Sequence, residues 1–432
     1  VKHAYNAAFE WYCLNQAGYI TPVEQWKCTM AHELYCGYPA GLEKAGEAIG
    51  LPQDKRKLTI GKALIKYFCV PCKPTRANGC RSWNLPRHAP EKWELFKQYC
   101  KQDVVTENEI LKRLDRFPMP EEEERLWQTD VLMNAFGVRV DIGLVEGALS
   151  INAISEQKLM EEAFDLTHLS NPNSDTQLSG WIRGRTGEDV VNMQKATVSE
   201  MLGRDYPEDV HRMLEIRQQL GKTSIKKYIA MDVSKCGDGR IRGLTQYYGA
   251  NRTGRWSGRL VQMQNLPRNY IKTLDFARET VKKKNYAGLR LLYGNVPDTL
   301  SQLIRTAFIP SEGNKFVVAD FSAIEARVIA WLAGEQWVNE VFATHGKIYE
   351  ATASQMFHVP IEKIVKGNPE YSLRQKGKVA TLALGYQGGV SALIQMGALD
   401  MGLSEDELPD IVQRWRDANP RIRDLWWKVQ QA

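Results

Sequence analysis

The chain has 432 residues, of which 43% are hydrophobic and 25% are charged, as in ordinary folded proteins. At roughly 150 residues per domain, this length predicts about three domains. The net charge of +6 permits a polyanionic partner without requiring one. No run of about 18 apolar residues occurs, so neither a membrane span nor a signal peptide is expected. Eight scattered cysteines favour a reducing, cytoplasmic compartment over a secreted disulfide framework.

The first third of the chain is expected to mix short strands and helices. It begins in a predicted strand, and residues 71–90 form a loop rich in Pro, Gly and Asn. Residues 90–114 have helical periodicity, with Trp93, Phe96 and Tyr99 on the apolar side. Three cysteines and a histidine of this region nearly form a zinc motif, but their spacing fits no standard pattern closely and zinc is disfavoured; they are Cys69, Cys72, Cys80 and His88.

The middle of the chain is predicted to be mainly helical. Two prolines in residues 115–120 mark a boundary, and the acidic run after them suits a helix N-terminus. Helices are expected over 121–235, interrupted by a polar loop at 169–187. Residues 236–256 predict a strand, a turn and a second strand.

A short apolar run near residue 320 is predicted to be a buried strand that ends on a carboxylate. Residues 316–319 form the run, and Asp320 follows it. Ser322 and Glu325 have the spacing of a capping box, and Gly334 closes the predicted helix. A strand-end aspartate suits Mg²⁺, a cation that takes oxygen ligands, but a turn or capping acid fits this segment equally well. From about residue 338 the chain is predicted to be helical to its end.

A second pattern places four residues at intervals of four on one predicted helical stripe: Arg374, Lys378, Leu382 and Tyr386. Two cations one turn apart can hold a polyphosphate, and an aromatic side chain can meet a base. The alternative is a solvated basic face with a core tyrosine.

Two further patterns point to nucleic acid. Residues 247–268 combine arginines with Asn and Gln side chains, which hydrogen-bond minor-groove acceptors. Near the N-terminus, Glu10 lies at a predicted helix start beside Asn6, while Tyr99 and Asp103 lie one turn apart. Separate acids with a tyrosine suit two-metal hydrolysis of a phosphodiester.

In this order, the four segments resemble the family A DNA polymerases of the bacterial DNA polymerase I type, and the spelling YNAAFEW is most like a bacteriophage member. Residues 317–334 resemble the family's palm motif A, and residues 374–387 its fingers motif B. Residues 253–267 are similar to its primer–template loop, while YNAAFE and YCKQD resemble motifs of a DnaQ-like 3′–5′ exonuclease. The resemblance covers nearly the whole chain.

The resemblance implies a multidomain α/β and α+β fold, in which an RNase H-like 3′–5′ exonuclease domain precedes a right-hand polymerase domain. The implied domains are the exonuclease part (1–118), the palm entry helix and thumb (119–235), the palm (236–337) and the fingers (338–432). The first exonuclease motif is expected before Val1 and the last palm motif beyond Ala432. These residues alone are therefore expected to bind DNA but to catalyse little.

The resemblance also implies residue roles in the polymerase site. Asp320 and the carbonyl of Phe321 would bind two Mg²⁺ ions, with Mn²⁺ as a substitute, and Glu325 would exclude a ribose 2′-hydroxyl. Arg374 and Lys378 would hold the triphosphate, and Lys378 could protonate the leaving pyrophosphate. In addition, Tyr386 would lie beside the templating base, and Leu382 would meet the nucleotide sugar.

Other implied roles concern DNA and proofreading. The minor groove at the primer end would be contacted by Arg255, Gln264 and Asn265, and the primer backbone by Lys222, Thr223 and Ser224. In the exonuclease, Glu10 and Asp103 would be metal ligands, Tyr99 would orient water, and Asn6 would position the DNA terminus.

The implied function is template-directed DNA synthesis, in which a primer 3′-hydroxyl attacks the α-phosphate of a dNTP. Primer–template DNA and dNTPs are the implied partners, together with phage helicase, primase or single-strand binding protein. Two alternatives stay open: a DNA-binding remnant without catalysis, and an exonuclease whose polymerase half is silent. The sequence also departs from the family at Leu382, an aromatic position, and at Lys347, Tyr349 and Gln387.

Overall fold

A computed structural model describes residues 1–432, and the chain divides into two compact units, Val1–Phe316 and Val317–Ala432. No helix of the chain is both long enough and apolar enough to cross a membrane.

The first unit opens with a parallel strand pair and five helices. These elements are β1 (Lys2–Ala4), α1 (Ala7–Gln16), β2 (Trp26–Cys28), α2 (Thr29–Tyr35), α3 (Leu42–Ala48), α4 (Gly61–Cys69) and α5 (Pro90–Leu114). Helix α5 has the predicted bounds, and Trp93, Phe96 and Tyr99 on its apolar side pack against Leu64 and Phe68 of α4. The predicted long helix and its buried face are both confirmed.

A mainly helical region follows, as predicted. Its elements are α6 (Glu121–Phe136), β3 (Val138–Val140), α7 (Ile142–Thr167), α8 (Asp175–Thr186), α9 (Lys195–Met201), α10 (Glu208–Leu220) and α11 (Lys226–Ser234). Four glutamates occupy the first turn of α6, where they complement the positive end of the helix dipole.

The prediction of a polar loop over 169–187 is wrong, because helix α8 occupies most of this segment. Ser174 caps this helix by accepting a hydrogen bond from the backbone N–H of Gln177, and Gly187 ends it in the left-handed region. Leu178 and Ile182, one turn apart, are fully buried. The capping residues and this apolar pair are local signals of a helix, but the many polar residues around them favour the prediction of a loop.

The rest of the first unit contains two small antiparallel sheets and three helices. Its elements are β4 (Arg240–Ile241), β5 (Thr245–Ala250), β6 (Arg255–Gly258), α12 (Leu274–Lys282), α13 (Tyr286–Tyr293), α14 (Val296–Leu303) and β7 (Phe308–Ile309). Strands β4, β3 and β7 form one sheet in that order, and β5 pairs with β6 as the predicted strand–turn–strand. The main core lies around α7, where Tyr228 donates a hydrogen bond to the carbonyl of Leu300 at 2.8 Å.

The second unit is helical to its end, as predicted from residue 338 onward. Its helices are α15 (Ile324–Ala333), α16 (Gln336–Ala343), α17 (Ile348–Phe357), α18 (Leu373–Leu384), α19 (Val390–Gln395), α20 (Leu408–Ala418) and α21 (Pro420–Gln431). The core of this unit is formed by Val379 and Leu384 of α18 with Leu393 and Trp415.

Two predictions around Asp320 are wrong. Residues 316–319 belong to no strand, and Val317 and Val318 are 85% and 89% exposed. A strand is held by hydrogen bonds to a neighbouring strand, and this segment pairs with none of the seven strands. The capping box of Ser322 and Glu325 is also absent, because α15 begins after Ala323, which has a left-handed φ of 49°. Gly334 ends the helix as predicted.

A substitution at Gly147 tests how closely α7 packs against α12. A Cβ at this position would lie 2.2 Å from the carbonyl oxygen of Val281, a backbone atom that cannot move aside cheaply. We expect Gly147→Ala to lower the free energy of unfolding by about 1–3 kcal/mol, the usual cost of overpacking a core. Urea unfolding followed by circular dichroism measures this value.

Gly180→Ala in α8 is the matched control, since nothing lies within 4 Å of an added Cβ there. Alanine at this helical position should leave stability unchanged or raise it by up to about 1 kcal/mol. Equal losses in the two variants would contradict the packing argument.

Candidate active site

A cleft in the second unit gathers residues of the two predicted polymerase motifs. Asp320 and Phe321 lie at its edge in the segment before α15, and Glu325 belongs to the first turn of that helix. Leu382 of α18 and Tyr386 beyond it line the cleft as well. Sequence segments about 60 residues apart thus share one opening, which has an apolar floor that includes Val338, Ile348, Trp415 and Ile422.

Helices α17 and α18 cross closely beneath this cleft. A Cβ at Gly377 would lie 2.2 Å from the carbonyl oxygen of Tyr349, so only glycine allows this approach. One turn along, the hydroxyl of Thr381 lies 3.1 Å from the hydroxyl of Thr352. Both threonines line the cleft, so the helix crossing contributes directly to its walls.

Arg374 is already paired within the unit. Its Nε donates to Oε1 of Glu350 on α17 at 2.7 Å, and its guanidinium lies 5.4 Å from the ring centroid of Tyr349. This hydrogen bond to the Glu350 carboxylate raises the pKa of Arg374 further. Lys378, one turn on, is half-buried and forms no ion pair within 4.0 Å. The pairing of Arg374 was missed because it joins separate helices and has no local sequence signal.

The structure confirms only part of the predicted helical stripe. Arg374, Lys378 and Leu382 lie on α18, but the helix ends at Leu384, so Tyr386 follows it and is exposed. Gln387, at the position of a departure from the family, has a left-handed φ of 61°. Trp426 donates a hydrogen bond to the carbonyl of Gly385 at 3.0 Å, which fixes the chain where it leaves the helix.

The predicted primer–template residues lie on and after the β5–β6 hairpin of the first unit. Arg255 opens β6, whereas Gln264 and Asn265 form a short 3₁₀ turn after a left-handed Gln262. The side chain of Gln264 lies against Gly258, where an added Cβ would be 2.1 Å from its Oε1. The structure therefore brings the hairpin and the amide residues together.

The predicted thumb residues form internal contacts. Lys222 pairs with Asp298 of α14, and Ser224 Oγ lies 2.8 Å from Ser301 Oγ. Burial opposes ionisation of Asp298, but the Lys222 ammonium and the Gln302 amide outweigh it and lower the pKa of this carboxyl. Thr223 lies in the 3₁₀ turn between α10 and α11.

Two partly buried acids lie on the N-terminal helices. Asn6 precedes α1, which carries Glu10, whereas Tyr99 and Asp103 lie on α5. One buried carboxylate oxygen of Glu10 and one of Asp103 have no hydrogen-bond partner, and the other oxygen of Asp103 lies 3.5 Å from Lys57.

Glu107, one turn after Asp103, was missed by sequence reasoning although its spacing of four residues was a usable signal. Burial, with the nearby charge of Glu10, raises its pKa. Thr29 donates a hydrogen bond to this carboxylate at 2.9 Å.

No group of three or more His, Cys, Asp or Glu side chains is arranged to hold a metal ion. Glu10 and Asp103 therefore do not form such a group in this structure, and neither do Cys69, Cys72, Cys80 and His88. Cys72 instead contacts the carbonyl of Arg81 at 3.3 Å.

A model of the family described as DNA polymerase family A matches residues 150–432. The chain belongs to DNA polymerase family A. This confirms the family that the motifs resemble.

Relatives extend the family match. The chain is 54% identical, over 433 aligned residues covering all of it, to a DNA polymerase of Bacillus phage SP02, of which it covers 66%. It is 30% identical over 315 residues to the thermostable DNA polymerase I of Thermus thermophilus, covering 70% of this chain and 33% of that protein. The chain thus spans less than two thirds of the length of these relatives.

A solved structure shows the fold. It is described as the POL domain of Pol1 from M. smegmatis in complex with DNA primer-template and dNTP. The TM-score is 0.57, the sequence identity is 19%, and the match covers 97% of this chain and 63% of the other. This likeness confirms a helix-rich, mixed α/β family A polymerase fold.

Glu33 on α2 gives the N-terminal region a pH dependence. Burial raises its pKa from the usual 4.5 to about 7, although the Tyr5 hydroxyl donates to its carboxylate and opposes the shift. The folded chain therefore holds the proton more tightly than the unfolded chain. The contribution to stability is complete below pH 4.5 and is lost as the pH rises to about 7.

We expect Glu33→Gln to remove this loss, because the amide stays neutral and can still accept from Tyr5. The free energy of unfolding of the native chain should fall by up to about 3 kcal/mol across this pH window, and that of the variant should not. The exposed Glu47→Gln serves as control, and a pH profile of Glu33→Gln parallel to that of the native chain would refute the assignment.

Proposed function

We propose that this chain performs template-directed DNA synthesis, transferring a deoxynucleotide from a dNTP to a primer 3′-hydroxyl. The observation that carries this proposal is the single cleft shared by Asp320, Glu325, Leu382 and Tyr386. It offers a carboxylate at its edge, an apolar floor and an aromatic side chain, which together suit a nucleotide with its metal-bound phosphates. Membership of DNA polymerase family A supports the same reaction.

We further propose the domain division that the motifs imply. Residues 1–118 would form the exonuclease part, 119–235 the palm entry helix and thumb, 236–337 the palm, and 338–432 the fingers. The helical content of 121–235 and of the region beyond 338 supports the thumb and fingers. The small antiparallel sheets between them support the palm.

Divalent metal ions fit the oxygen donors at the edge of the cleft. Asp320 is exposed there, and its carboxylate, the backbone carbonyl of Phe321, water and substrate phosphates are ligands that Mg²⁺ or Mn²⁺ accepts. When bound, such ions would neutralise charge that develops on the phosphates and favour ionisation of the attacking hydroxyl.

Two other cleft residues, together with two cations of α18 that do not line the cleft, would position the nucleotide. Glu325 in the first turn of α15 would lie against the sugar and exclude a 2′-hydroxyl, while Tyr386 would contact the templating base. Lys378 carries a charge without an internal counter-ion and would meet the phosphates first. Arg374 would join it by exchanging Glu350 for a phosphate oxygen.

DNA contacts outside the cleft are proposed from residue chemistry. Arg255, Gln264 and Asn265 would contact minor-groove acceptors, since their hairpin and turn place guanidinium and amide groups together. Lys222, Thr223 and Ser224 would contact the primer backbone, and for Lys222 this requires release from Asp298.

A 3′–5′ proofreading activity is proposed for the N-terminal region. The unpartnered carboxylate oxygens of Glu10 and Asp103 support it, because buried oxygens without hydrogen bonds are available to a cation. Tyr99 on the same face as Asp103 would orient water, and Asn6 would hold the terminal nucleotide.

Asp320→Ala tests the polymerase directly. The protein is expressed from its full reading frame and given a labelled primer–template, Mg²⁺ and dNTPs. We expect the variant to lose extension by about 10³-fold or more, because metal-held charge stabilisation supplies several kcal/mol. DNA binding should persist.

Asp410→Ala, which removes an exposed carboxylate of α20, is the control and should extend normally. If the native protein degrades 3′ ends but extends nothing, the exonuclease reading replaces the polymerase. If it only binds DNA, the non-catalytic reading is correct.

Leu382→Phe tests the sugar contact. Leu382 is 45% exposed and lines the cleft, so a ring there would reach further into the space proposed for the sugar. We expect the ratio of kcat/KM for dNTP and dideoxy-NTP to change by about tenfold or more, the effect of one altered pocket contact. Single-nucleotide incorporation kinetics measure it. Leu382→Met, of similar volume, should change it little, and an unchanged ratio for Leu382→Phe would remove the proposed contact.

A further inference from the structure

We propose that residues 55–90 form a second surface for single-stranded DNA, separate from the cleft of the second unit. This segment contains nine Lys and Arg residues and no Asp or Glu. The rest of the chain holds 48 Lys and Arg against 51 Asp and Glu, a net charge of −3, so the positive charge of the protein arises from this one segment. The proposal does not depend on polymerase activity.

Five of these cations are exposed and belong to no ion pair within 4.0 Å: Lys62, Lys66, Lys73, Arg76 and Arg87. Lys62 and Lys66 lie one turn apart on α4, opposite the buried Leu64 and Phe68. Three of the other four cations have structural partners: Lys57 pairs with Asp103, Arg56 donates to the carbonyl of Leu51, and Arg81 donates to Asn84. The fourth, Lys55, is half-buried. We call the five exposed cations the basic surface.

The loop that carries Lys73, Arg76 and Arg87 is pinned by buried and half-buried polar side chains. Asn78 donates to the carbonyl of Lys73 at 2.9 Å, and Arg81 donates to Oδ1 of Asn84 at 2.9 Å. Asn84 in turn donates to the carbonyl of Tyr67 at 3.0 Å, which ties the loop to α4. Long loops held together by their own side chains are commonly functional, and this one presents its cations on a fixed backbone.

An exposed tryptophan lies within the same loop. Trp83 is 46% exposed and neighbours Arg81 and Asn84 in the pinned segment, whereas Trp93 is packed against Phe68 and Phe96. A large aromatic side chain left in solvent among cations can stack on a nucleic-acid base.

Single-stranded DNA fits these features better than an acidic protein segment. Lysines and arginines match the regular charges of a phosphate backbone, and an acidic peptide would supply no base for Trp83. In a duplex the bases are already stacked on one another, which leaves the indole without a partner. The inferred ligand is therefore a single strand of several nucleotides, bound without sequence preference.

The test measures binding of the 432-residue chain to a fluorescent oligothymidylate of about 15 nucleotides, a length suited to such surfaces. An excess of unlabelled hairpin primer–template is present to occupy the proposed cleft. The variant replaces all five cations of the basic surface by Gln, Lys62→Gln, Lys66→Gln, Lys73→Gln, Arg76→Gln and Arg87→Gln. We expect at least tenfold weaker binding, and a salt dependence of log K that is less steep by about 3.5, since each of the five lost phosphate contacts removes about 0.7.

The control replaces five exposed cations elsewhere by Gln, at Lys44, Arg113, Arg116, Lys363 and Lys366, which gives the same net charge. It should bind nearly as the native chain does. Equal weakening in both variants would show a general charge effect and overturn the surface, as would no weakening in either. Thermal unfolding checks the fold, and the loop-only variant Lys73→Gln, Arg76→Gln, Arg87→Gln is used if the five-residue variant unfolds.

Two further measurements separate the ligand classes. Trp83→Ala should weaken oligothymidylate binding several-fold and leave binding of inorganic polyphosphate unchanged; equal effects would remove the stacking contact. If the basic-surface variant loses a Glu-rich peptide but keeps the oligonucleotide, the surface fits an acidic protein and the proposal is wrong. Binding of a labelled hairpin primer–template, measured separately, reports on the proposed cleft, because none of these residues lines the cleft.

Discussion

The close crossing of α17 and α18 at Gly377 is the constraint on which the second unit depends. With 2.2 Å between a virtual Cβ and the carbonyl of Tyr349, any larger residue would separate the helices. Their contact brings Thr352 to Thr381 and Glu350 to Arg374, and it places Tyr349 and Leu382 on one cleft. The glycine therefore determines the shape of a site that it does not itself line.

Charged residues singled out from the sequence often have an internal partner in the structure. Arg374 pairs with Glu350, Lys222 with Asp298, and Asp103 with Lys57. Such pairs keep partly buried charges compensated while no ligand is present, since an unpaired buried charge is costly. In the proposed roles, DNA or nucleotide binding at these positions would replace one of these ion pairs by a contact with the ligand.

Local signals explain what could be predicted. Residues that are neighbours in the sequence are enough to predict the length and periodicity of α5, the turn between β5 and β6, and the acidic first turn of α6. The prediction misses helix α8 because polar residues surround its buried pair, Leu178 and Ile182. The prediction of a strand over 316–319 fails because an apolar run does not show whether a neighbouring strand is available for pairing. Of the candidate site, the motif residues were found in the sequence. Glu350 became visible only through its contact with Arg374, whereas the spacing of Glu107 from Asp103 was a signal already present in the sequence.

The ion pair between Arg374 and Glu350 has a consequence for ligand choice. A ligand that binds this guanidinium must displace the carboxylate of Glu350. The free energy gained is therefore the difference between the interaction of Arg374 with the ligand and its interaction with Glu350. A singly charged or neutral molecule gains almost nothing from the exchange. A molecule with several adjacent negative charges can pair with Arg374 and Lys378 together, and these two interactions can compensate for the lost ion pair with Glu350. In the proposed role, helix α18 would therefore favour ligands that carry several negative charges over singly charged or neutral ligands of the same shape.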